Sequence, residues 1–540
     1  MLIRELQAIQ RKHGYLPDDE LNALSERLKK PLYEIHGVAT FYPHFRFQPP
    51  PDVVIGVCAD MSCHLRGACE IKRIFEDAAG NGWCVSETAC IGQCDAAPAI
   101  AVNGRSVRGV TPSKARRLVD QLAHGTVPRR VRVSGTDEWQ ASAVEPYATL
   151  DALFETSDSD GVIAALKESG LRGMGGAGFP TGIKWETTRD APATPKYVVC
   201  NADESEPGTF KDRAILQHLP HLVVEGMFIG ALVVGAEEVI VYLRHEYERE
   251  GEILRREIQR AQRRFRWLKS RISVEVFESP GGYICGEETA LLEALEGKRA
   301  EPRNRPPFPA THGLWGKPTL LNNVETFAWV PVILNKGPEW FKAQGVNGGE
   351  GLKFLALSGH VRQPGVYEVP LGISAANLIN KHGGGVGKRK KLKAFAPGGA
   401  SSGFLPASMA DISLEFRVLQ EAGSMLGSGA VVAVADGTCM LDLALNVVKF
   451  FRNESCGKCV PCRLGSQQIV ATLERFRCGD GGQEDVELID ELAETMLLTS
   501  ICGLGQAAPN PILSVIKYFR DEVFDHLQDK CPSGACLNGS

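Results

Sequence analysis

The pattern of apolar and polar positions divides the first part of the chain into short, different elements. Up to about residue 48 the apolar positions recur at helical spacing, and Tyr15-Leu16-Pro17-Asp18-Asp19 predicts a break between two helices. Pro49-Pro50-Pro51 ends this pattern, and the apolar run 53–57 predicts a strand. Further helices are predicted over 68–79 and 113–123. Strands and helices alternating over so few residues favour a compact α/β layer.

The central part of the chain alternates longer helices with buried strands. Asp158 and Asp160 predict the start of a helix over 162–168. The apolar run 219–235 contains Pro220, His221 and Glu225, so we expect a buried helix rather than a membrane span. Strands are predicted over 197–200, 239–243 and 272–277, with a charged helix over 246–269. This βαβ order predicts a largely parallel sheet.

The last third changes pattern twice. Residues from about 352 to 435 combine short strands with glycine turns, which predicts a small β-rich domain, and 441–524 return to helical spacing. The predicted domains are residues 1–125, a linker at 126–156, an α/β domain at 157–345, a β-rich domain at 350–436, a helical bundle at 440–527 and a tail at 528–540.

Composition adds one anomaly to this picture. A chain of 540 residues exceeds one core, and a net charge of −5 gives no reason to expect binding to nucleic acid. The N-terminus reads as an amphipathic helix without the apolar core of an export signal, so we expect a soluble cytoplasmic protein. The sixteen cysteines lie in tight groups. Grouped thiols in a large cytoplasmic protein indicate metal rather than disulfides.

The first group is Cys58-x4-Cys63, followed by Cys90-x3-Cys94. Four thiolates from two loops can hold a 2Fe–2S cluster or one zinc ion. The four-residue gap suits the cluster better, because structural zinc sites favour CxxC pairs. Cys69 and Cys84 lie outside the spacing and are expected to be buried apolar residues.

The second group is Cys456-x2-Cys459-x2-Cys462, with Cys502 downstream. Three cysteines at three-residue steps, closed by a distant fourth, predict a 4Fe–4S cluster. Lys458 and Arg463 would offset its charge. Two further cysteines, Cys531 and Cys536, are either additional cluster ligands or part of a redox-inert tail.

A glycine-rich loop runs from Gly170 to Pro180 and contains a formal GxGxxG at 173–178. The dinucleotide fingerprint needs a strand before and a helix after it, whereas here a helix precedes and Pro180 follows. A flexible loop is therefore one interpretation. The other is an anion site, because repeated glycines expose backbone N–H groups, and Arg172 and Lys184 supply positive charge.

Acidic and amide side chains follow the predicted strands. The segment 200–208 contains Asn201, Asp203, Glu204 and Glu206, and 281–289 repeats the arrangement after the next strand but one. Ligands of open α/β sheets bind beyond the carboxyl ends of the strands. A single acidic segment of this kind could be a solvated turn. That interpretation is hard to keep here, because a second such segment and the pair Asn322-Asn323 accompany the first.

Together these motifs closely resemble the flavin-bearing NADH dehydrogenase subunit of respiratory complex I, with the thioredoxin-like 2Fe–2S partner of that subunit joined in front of it. Residues 1–125, including Gly37-Val38-Ala39-Thr40-Phe41-Tyr42 and the first cysteine group, are similar to that partner, and about 160–525 to the flavin-bearing chain. The resemblance implies an α/β multidomain chain: N-terminal helices with a thioredoxin-like 2Fe–2S domain, a Rossmann-like FMN/NAD domain, a β-grasp domain, and a helical bundle with a 4Fe–4S cluster.

The resemblance also implies the binding residues. The expected FMN contacts are Arg172, Gly173, Gly175, Lys184, Asn201, Asp203, Glu204, Tyr283, Gly286, Glu287, Asn322, Asn323 and Thr326. Phe179 and Phe308 match aromatics that sandwich the adenine of NAD, and Glu206 and Glu288 would lie near its ribose, which favours NAD over NADP. Where the family has a lysine before Pro-Pro-Phe-Pro, this chain has Arg305.

The implied activity is transfer of electrons between NAD(H), FMN and two iron–sulfur clusters, with hydride passing to FMN and no catalytic side chain. Fusion of the two modules is similar to the diaphorase (beta) subunit of NAD-dependent formate dehydrogenase, which predicts a catalytic alpha subunit with a Mo or W pterin as partner. The alternatives are the diaphorase subunit of NAD-reducing hydrogenase and a complex I subunit. An alternative from a different functional class is a non-catalytic scaffold that retains the fold and binds zinc.

Overall fold

The computed structural model describes residues 2–80, 82–125, 139–387, 389–528, 530–531, 533–534 and 536. The chain divides into two compact units. The first comprises the N-terminal segment up to Pro50, the described residues of Ser134–Ser205, and Lys211–Lys353. The second comprises the described residues of Pro51–Val133, the short segment Glu206–Phe210, and the described residues from Phe354 onward.

The first unit begins with three helices, α1 (Leu2–His13), α2 (Asp18–Leu28) and α3 (Leu32–Ala39). The break predicted at 15–19 separates α1 from α2. These helices bind within the first unit: Gln7 donates to the carbonyl of Glu278 at 2.9 Å, and the Tyr42 hydroxyl donates to the carbonyl of Lys298 at 2.6 Å. By their contacts these helices are grouped with the central α/β segment, and the predicted domain of residues 1–125 stays a prediction.

The second unit begins with a four-stranded sheet in the order β2-β1-β3-β4. Its elements are β1 (Val53–Cys58), α4 (Met61–Leu65), α5 (Ala68–Ala78), β2 (Trp83–Thr88), β3 (Ile100–Val102), β4 (Arg105–Val107) and α6 (Pro112–Ala123). β1 is parallel to β2 and antiparallel to β3. The expectation that Cys69 and Cys84 are buried is wrong: both are exposed, because Cys84 lies on edge strand β2 and Cys69 on the outer face of α5.

The first unit continues with a four-stranded sheet in the order β7-β6-β5-β8, and every pair in it is parallel. Its strands are β5 (Tyr197–Ala202), β6 (Glu238–Arg244), β7 (Ser273–Ser279) and β8 (Thr319–Asn323). The helices are α7 (Ala148–Thr156), α8 (Ser159–Glu168), α9 (Thr181–Asp190), α10 (Lys211–His218), α11 (Pro220–Val234), α12 (Glu248–Arg264), α13 (Arg266–Arg271), α14 (Glu288–Leu295), α15 (Pro309–His312), α16 (Val324–Lys336) and α17 (Pro338–Ala343). The parallel sheet was predicted, but β8 was not. The predicted charged helix ends at Arg264, where α12 gives way to α13.

The predicted linker at 126–156 forms a helix in its later part, while 126–138 lie outside the described residues. α7 (Ala148–Thr156) packs with Leu150 and Leu153 buried. The carboxylate of the fully buried Glu225 accepts hydrogen bonds from the amides of Tyr147, Thr149 and Leu150 at 2.8, 3.1 and 3.0 Å. A side chain of α11 therefore caps α7 in place of a local residue.

The second unit resumes with a five-stranded sheet in the order β10-β9-β13-β11-β12 and a helical bundle. The sheet elements are β9 (Leu352–Gly359), β10 (Gly365–Pro370), α18 (Ala375–Asn377), β11 (Leu392–Ala396), β12 (Leu405–Pro406), α19 (Phe416–Glu421) and β13 (Ala430–Ala435). The bundle comprises α20 (Met440–Glu454), α21 (Val460–Arg477), α22 (Gln483–Thr499), α23 (Gly503–Ala507), α24 (Asn510–Tyr518) and α25 (Arg520–His526).

Among the described residues, no single helix is long and apolar enough to cross a membrane. Helices α10 and α11 reach the length and apolar composition of a membrane span only when taken together, and the angle between them is 95°. Most of α11 is buried, as its sequence predicts.

Candidate functional site

The carboxyl ends of β5 and β8 bring polar side chains together at one edge of the parallel sheet. Asn201 donates to the carbonyl of Gly286 at 2.9 Å, which ties β5 to the turn Tyr283–Gly286. Asp203 accepts from Ser279 at 2.9 Å. Asn322 accepts from the indole of Trp185 at 3.0 Å. The predicted polar residues are thus gathered at one edge, and each is already oriented by a protein partner.

The glycine-rich loop is an ordered hairpin rather than a flexible segment. The amide of Gly173 donates to the carbonyl of Phe179 at 2.8 Å, and that of Thr181 to the carbonyl of Leu171 at 2.9 Å. The amide of Met174 donates to the hydroxyl of Thr326 at 2.9 Å, at the start of α16. A Cβ at Gly175 would lie 3.0 Å from the Cβ of Asn323. Glycine is therefore needed where the loop meets the end of β8.

The loop leads directly into the N-terminus of α9, which has no side-chain cap. The hydroxyl of Thr181 at this end is buried and has no hydrogen-bond partner among the described residues. Lys184 lies one turn further on and donates to the carbonyl of Leu321 at 3.1 Å. A helix N-terminus with a free hydroxyl and a nearby ammonium fits the phosphate of a group such as FMN.

Two carboxylates expected to contact a flavin bind helix N-termini. Glu204 accepts from the amides of Asp212 and Arg213 at 2.8 and 3.0 Å and from the hydroxyl of Tyr247 at 2.9 Å. Burial raises the pKa of Glu204 to about 7. Glu287 accepts from the amides at the start of α14. Both oxygens of Glu204 are thus engaged, so this residue positions α10 and β5, and its contact with FMN stays a prediction.

Sequence reasoning missed a buried ionic network beneath the glycine loop. Lys211 lies 2.6 Å from Asp212 and 3.0 Å from Glu325, and Lys353 lies 3.1 Å from the same Glu325 oxygen. Lys353 also donates to the carbonyl of Met174 at 3.4 Å. Burial lowers the pKa of Lys353 to about 8, against the attraction of Glu325.

This network, which we call the lysine–carboxylate network (Lys211, Asp212, Glu325 and Lys353), also supports Asn323. The amide of Asn323 donates to Asp212 at 2.6 Å, and its oxygen accepts from Lys211 at 3.2 Å. Two adjacent opposite charges after the acidic segment, Lys211-Asp212, were a possible signal in the sequence. Their partners are more than a hundred residues away, so spacing alone could not pair them.

The residues expected to bind NAD are placed differently from one another. Phe179 and Phe308 are 49% and 56% exposed, which is unusual for large aromatic side chains and leaves ring surface available for stacking. Glu288 pairs with Arg305 at 2.9 Å and with Lys184 at 3.4 Å. Glu206 belongs to the second unit, where it accepts from the amide of Ser401 at 2.7 Å.

The first cysteine group converges in the second unit. Cys58 ends β1, Cys63 lies in α4, and Cys90 and Cys94 follow β2, with their sulfurs 3.4 Å apart. All four are buried. The neighbouring thiols of Cys63 and Cys90, together with burial, raise the pKa of Cys58 well above its usual value. Four thiols that are buried and lie this close together fit the ligand set of a 2Fe–2S cluster, which would bind them as thiolates.

The loop between Cys58 and Cys63 is held by helix α20. Asn446 accepts from the amide of Met61 at 2.9 Å and donates to the carbonyl of Ala59 at 2.8 Å. His64 lies 2.8 Å from Asp442 of the same helix. The first cysteine group is therefore positioned by a helix of the C-terminal bundle.

The second cysteine group lies at the end of that helix. Cys456 follows α20, Cys459 precedes α21, Cys462 lies in its first turn, and Cys502 precedes α23. A Cβ at Gly505 would lie 2.9 Å from the Cβ of Cys462, so glycine lets the Cys502 turn approach α21.

The environment of Cys462 fits a cluster ligand. Burial raises the pKa of Cys462 to about 11, with Cys459 and Cys456 acting in the same direction and Ser455 opposing them. The hydroxyl of Ser500 is buried without a partner among the described residues, beside the Cys502 turn. A free donor here fits a hydrogen bond to a cluster sulfur, and Arg463 contacts the Gly457 carbonyl nearby.

Known protein families match successive parts of the chain. The matches are the thioredoxin-like [2Fe-2S] ferredoxin at residues 1–123, the Nuo51 FMN-binding domain at 166–332, the SLBB domain at 354–405 and the NADH-ubiquinone oxidoreductase-F iron-sulfur binding region at 442–526. The matching families bind the three cofactors expected above, namely the 2Fe–2S and 4Fe–4S clusters expected from the cysteine spacing and the FMN implied by the resemblance. The predicted fold class is confirmed.

Whole proteins are also similar. The F 2 subunit of the NADH-quinone oxidoreductase of Rhizobium meliloti (strain 1021) is 44% identical over 398 residues, which are 72% of this chain and 93% of that protein. The NADP-reducing hydrogenase subunit HndC of Solidesulfovibrio fructosivorans is 43% identical over 383 residues, 69% of this chain and 78% of that protein.

Among solved structures, a chain of the NAD+-reducing [NiFe]-hydrogenase in the H2-reduced state superposes with a TM-score of 0.89 at 32% identity. The match covers 97% of this chain and 94% of that one. The chain therefore belongs to the family of the NADH-quinone oxidoreductase F subunits, with an FMN-binding domain and a 4Fe–4S region, and carries a thioredoxin-like 2Fe–2S ferredoxin domain in the same polypeptide.

Proposed function

We propose that this NAD(H)-dependent flavin and iron–sulfur oxidoreductase subunit serves as the diaphorase (beta) subunit of a formate dehydrogenase with a Mo or W pterin in its catalytic subunit. The observation that carries the proposal is that one chain contains both cysteine groups and the flavin cradle, by which we mean the glycine loop 170–180, the N-terminus of α9 and the carboxyl ends of β5 and β8. Cys58, Cys63, Cys90 and Cys94 lie together, as do Cys456, Cys459 and Cys462, and the turn after Cys502 approaches Cys462. Such a chain can exchange electron pairs with NAD(H) and single electrons with a partner.

The glycine loop and α9 would bind the FMN phosphate. Arg172, Lys184 and the N-terminus of α9 supply positive charge, and Thr181 supplies a hydroxyl. Gly173 and Gly175 let the backbone approach, since Gly175 already lies against Asn323. Bound FMN supplies the chemistry, accepting a hydride and releasing its two electrons singly.

The remaining predicted flavin contacts would act from the strand ends and the turn beside them. Asn201, Asp203, Asn322 and Asn323 offer hydrogen bonds to a polar ring or ribityl chain, and their own partners keep them in place. Polar groups that protein partners already hold in place can orient a ligand without reorganising.

The NAD site would combine stacking with charge selection. Phe179 and Phe308 are exposed rings that can hold an adenine between them. Glu288 would accept from a ribose hydroxyl and repel a 2′-phosphate. Its pairing with Arg305 and Lys184 fixes the carboxylate in position.

The second candidate is the diaphorase subunit of an NAD-reducing hydrogenase. The observation that favours it is the likeness to the hydrogenase chain over nearly the whole length of both proteins. The two candidates share every residue role above and differ in the partner that oxidises the final substrate.

Purification of the native complex through a tag on this chain distinguishes the candidates. The proposal expects Mo or W in the complex and reduction of NAD+ by formate. Nickel without Mo or W, together with reduction of NAD+ by H2, would replace formate dehydrogenase by the hydrogenase. The isolated chain should in either case reduce a dye with NADH, and failure of the FMN- and iron-loaded chain to do so would contradict the shared role.

A further inference from the structure

A third group of metal-binding side chains lies apart from both cysteine groups. It consists of Cys439, His526, Cys531 and Cys536, whose ligand atoms all lie within 4.8 Å of one another. Cys439 immediately precedes α20, and His526 is the last residue of α25. Cys439, His526 and Cys536 are buried, and Cys531 is half-buried. Residues more than eighty positions apart therefore present three sulfurs and one ring nitrogen to a single point.

The spacing of these atoms is that of one tetrahedral ion. The Cys439 sulfur lies 3.4 Å from Nε2 of His526 and 3.6 Å from the Cys536 sulfur. Zinc–sulfur bonds of about 2.3 Å and zinc–nitrogen bonds of about 2.0 Å give tetrahedral edges of about 3.8 Å between two sulfurs and about 3.5 Å between sulfur and nitrogen. Both measured distances are close to these edges.

The neighbouring groups orient the ligands as metal sites require. Nδ1 of His526 lies 2.6 Å from the carbonyl of Glu522. A carbonyl can only accept, so Nδ1 carries the proton and Nε2 presents its lone pair towards Cys439. The amide of Asp442, in the first turn of α20, donates to the Cys439 sulfur at 3.4 Å. A helix N-terminus of this kind stabilises a thiolate.

Other arrangements of these residues fit less well. A disulfide needs its sulfurs about 2.0 Å apart, and Cys439 and Cys536 are 3.6 Å apart. A cubane cluster places each thiolate on a different iron, which separates the sulfurs more widely than a single ion does. Four protein ligands also leave no open position for a substrate or water, which is the property of structural rather than catalytic zinc.

We propose that Cys439, His526, Cys531 and Cys536 bind one structural zinc ion. The ion joins the segment that follows α25 to the start of α20, the helix that contacts the first cysteine group and ends at the second. This site does not depend on the identity of the partner subunit or of the final substrate.

The direct test is metal analysis and zinc-edge X-ray absorption of the full chain, expressed without a histidine tag and purified without air. We expect about one zinc per chain beside about six iron atoms. The absorption fine structure should show three sulfurs at about 2.3 Å and one nitrogen at about 2.0 Å. A shell of four sulfurs would mean zinc in a vacated cluster site and would overturn the proposal, as would the absence of zinc or a seventh iron in its place.

Substitutions outside the helical core can show where the zinc ion binds. Cys531→Ser and Cys536→Ser change the segment after α25, and each should lower the zinc content at least about fivefold while iron and FMN contents stay unchanged. Cys478→Ser is the matched control, because Cys478 is an exposed cysteine of the same bundle. Zinc content that stays at the wild-type level in Cys536→Ser and in His526→Ala would refute the assignment.

Discussion

The lysine–carboxylate network allows a quantitative test of what supports the flavin cradle. Glu325→Gln removes the negative charge that Lys211 and Lys353 share at 3.0 and 3.1 Å, and all three side chains are fully buried. Breaking a buried pair by removing one partner costs about 3–5 kcal/mol. At about 2–4 °C per kcal/mol for domains of 150–250 residues, the melting temperature of the first unit should fall by about 6–20 °C.

The same substitution should weaken FMN retention, because Lys353 contacts the Met174 carbonyl and Lys211 contacts Asn323. The cost should also grow as the pH falls. Burial already lowers the pKa of Lys353 to about 8. Without Glu325 the pKa of Lys353 in the folded chain falls further, so the folded variant stays unprotonated at pH values where the unfolded chain already binds the proton. The variant is therefore least destabilised in alkaline solution and loses stability relative to the wild type as the pH falls below about 8.

Thermal release of FMN, followed by its fluorescence from pH 6 to pH 9, measures both effects. Glu350→Gln is the control, since Glu350 forms an exposed pair with Lys342 at 3.1 Å and should change stability by less than about 1 kcal/mol. The double variant Glu325→Gln/Lys353→Met restores charge balance and should recover part of the loss. If the double variant loses as much as the two single variants added together, the charges do not act as a network and the reasoning fails.

Three further outcomes follow from individual residues. Cys459→Ser should abolish the 4Fe–4S signal in electron paramagnetic resonance while FMN stays bound, and an unchanged spectrum would remove Cys459 from the ligand set. Glu288→Gln removes the negative charge beside Arg305 and Lys184, so kcat/KM for NADPH should rise relative to NADH by about tenfold, equivalent to about 1.4 kcal/mol, and an unmoved ratio would show that this carboxylate does not select the cofactor. Burial raises the pKa of Glu225 from 4.5 to about 7, so the stability that this residue contributes is full below pH 4.5 and is lost as the pH rises through 7. In the wild type the free energy of unfolding should therefore fall by about 3 kcal/mol over this range, and Glu225→Gln should remove this pH dependence in unfolding experiments. Glu155→Gln, at an exposed position of α7, is the control and should leave the pH dependence unchanged.

Local spacing made the two cysteine groups visible in the sequence. The predicted ligands Cys456, Cys459 and Cys462 lie on one short segment, where the intervals themselves match a cluster. The same reasoning left Cys531 and Cys536 undecided, because their partners Cys439 and His526 approach only through the packing of α20 and α25. Long-range pairing is a product of tertiary structure, and no periodicity records it.

The flavin cradle shows a similar division. The glycine loop and the polar strand ends could be predicted as neighbours, because parallel strands end at the same edge. What individual carboxylates do could not be predicted. Glu204 lies in the expected segment, yet it caps α10 and binds Tyr247, since a buried acid takes the nearest amide donors. Strand β8 escaped prediction because Thr319–Asn323 is short and ends in two asparagines.

Helix α20 sets the spacing between the two iron–sulfur sites, because one helix contacts the first cysteine group and ends beside the second. Asn446, near the middle of the helix, forms hydrogen bonds with the Cys58–Cys63 loop, and Cys456 lies two positions beyond Glu454, the last helical residue. Asn446 lies eight positions before Glu454, the last residue of the helix, which corresponds to about 12 Å of helix axis at about 1.5 Å per residue. Inserting a single residue between them would lengthen the helix by about 1.5 Å and turn its far end by about 100°, so this helix fixes both the spacing and the relative orientation of the two cysteine groups.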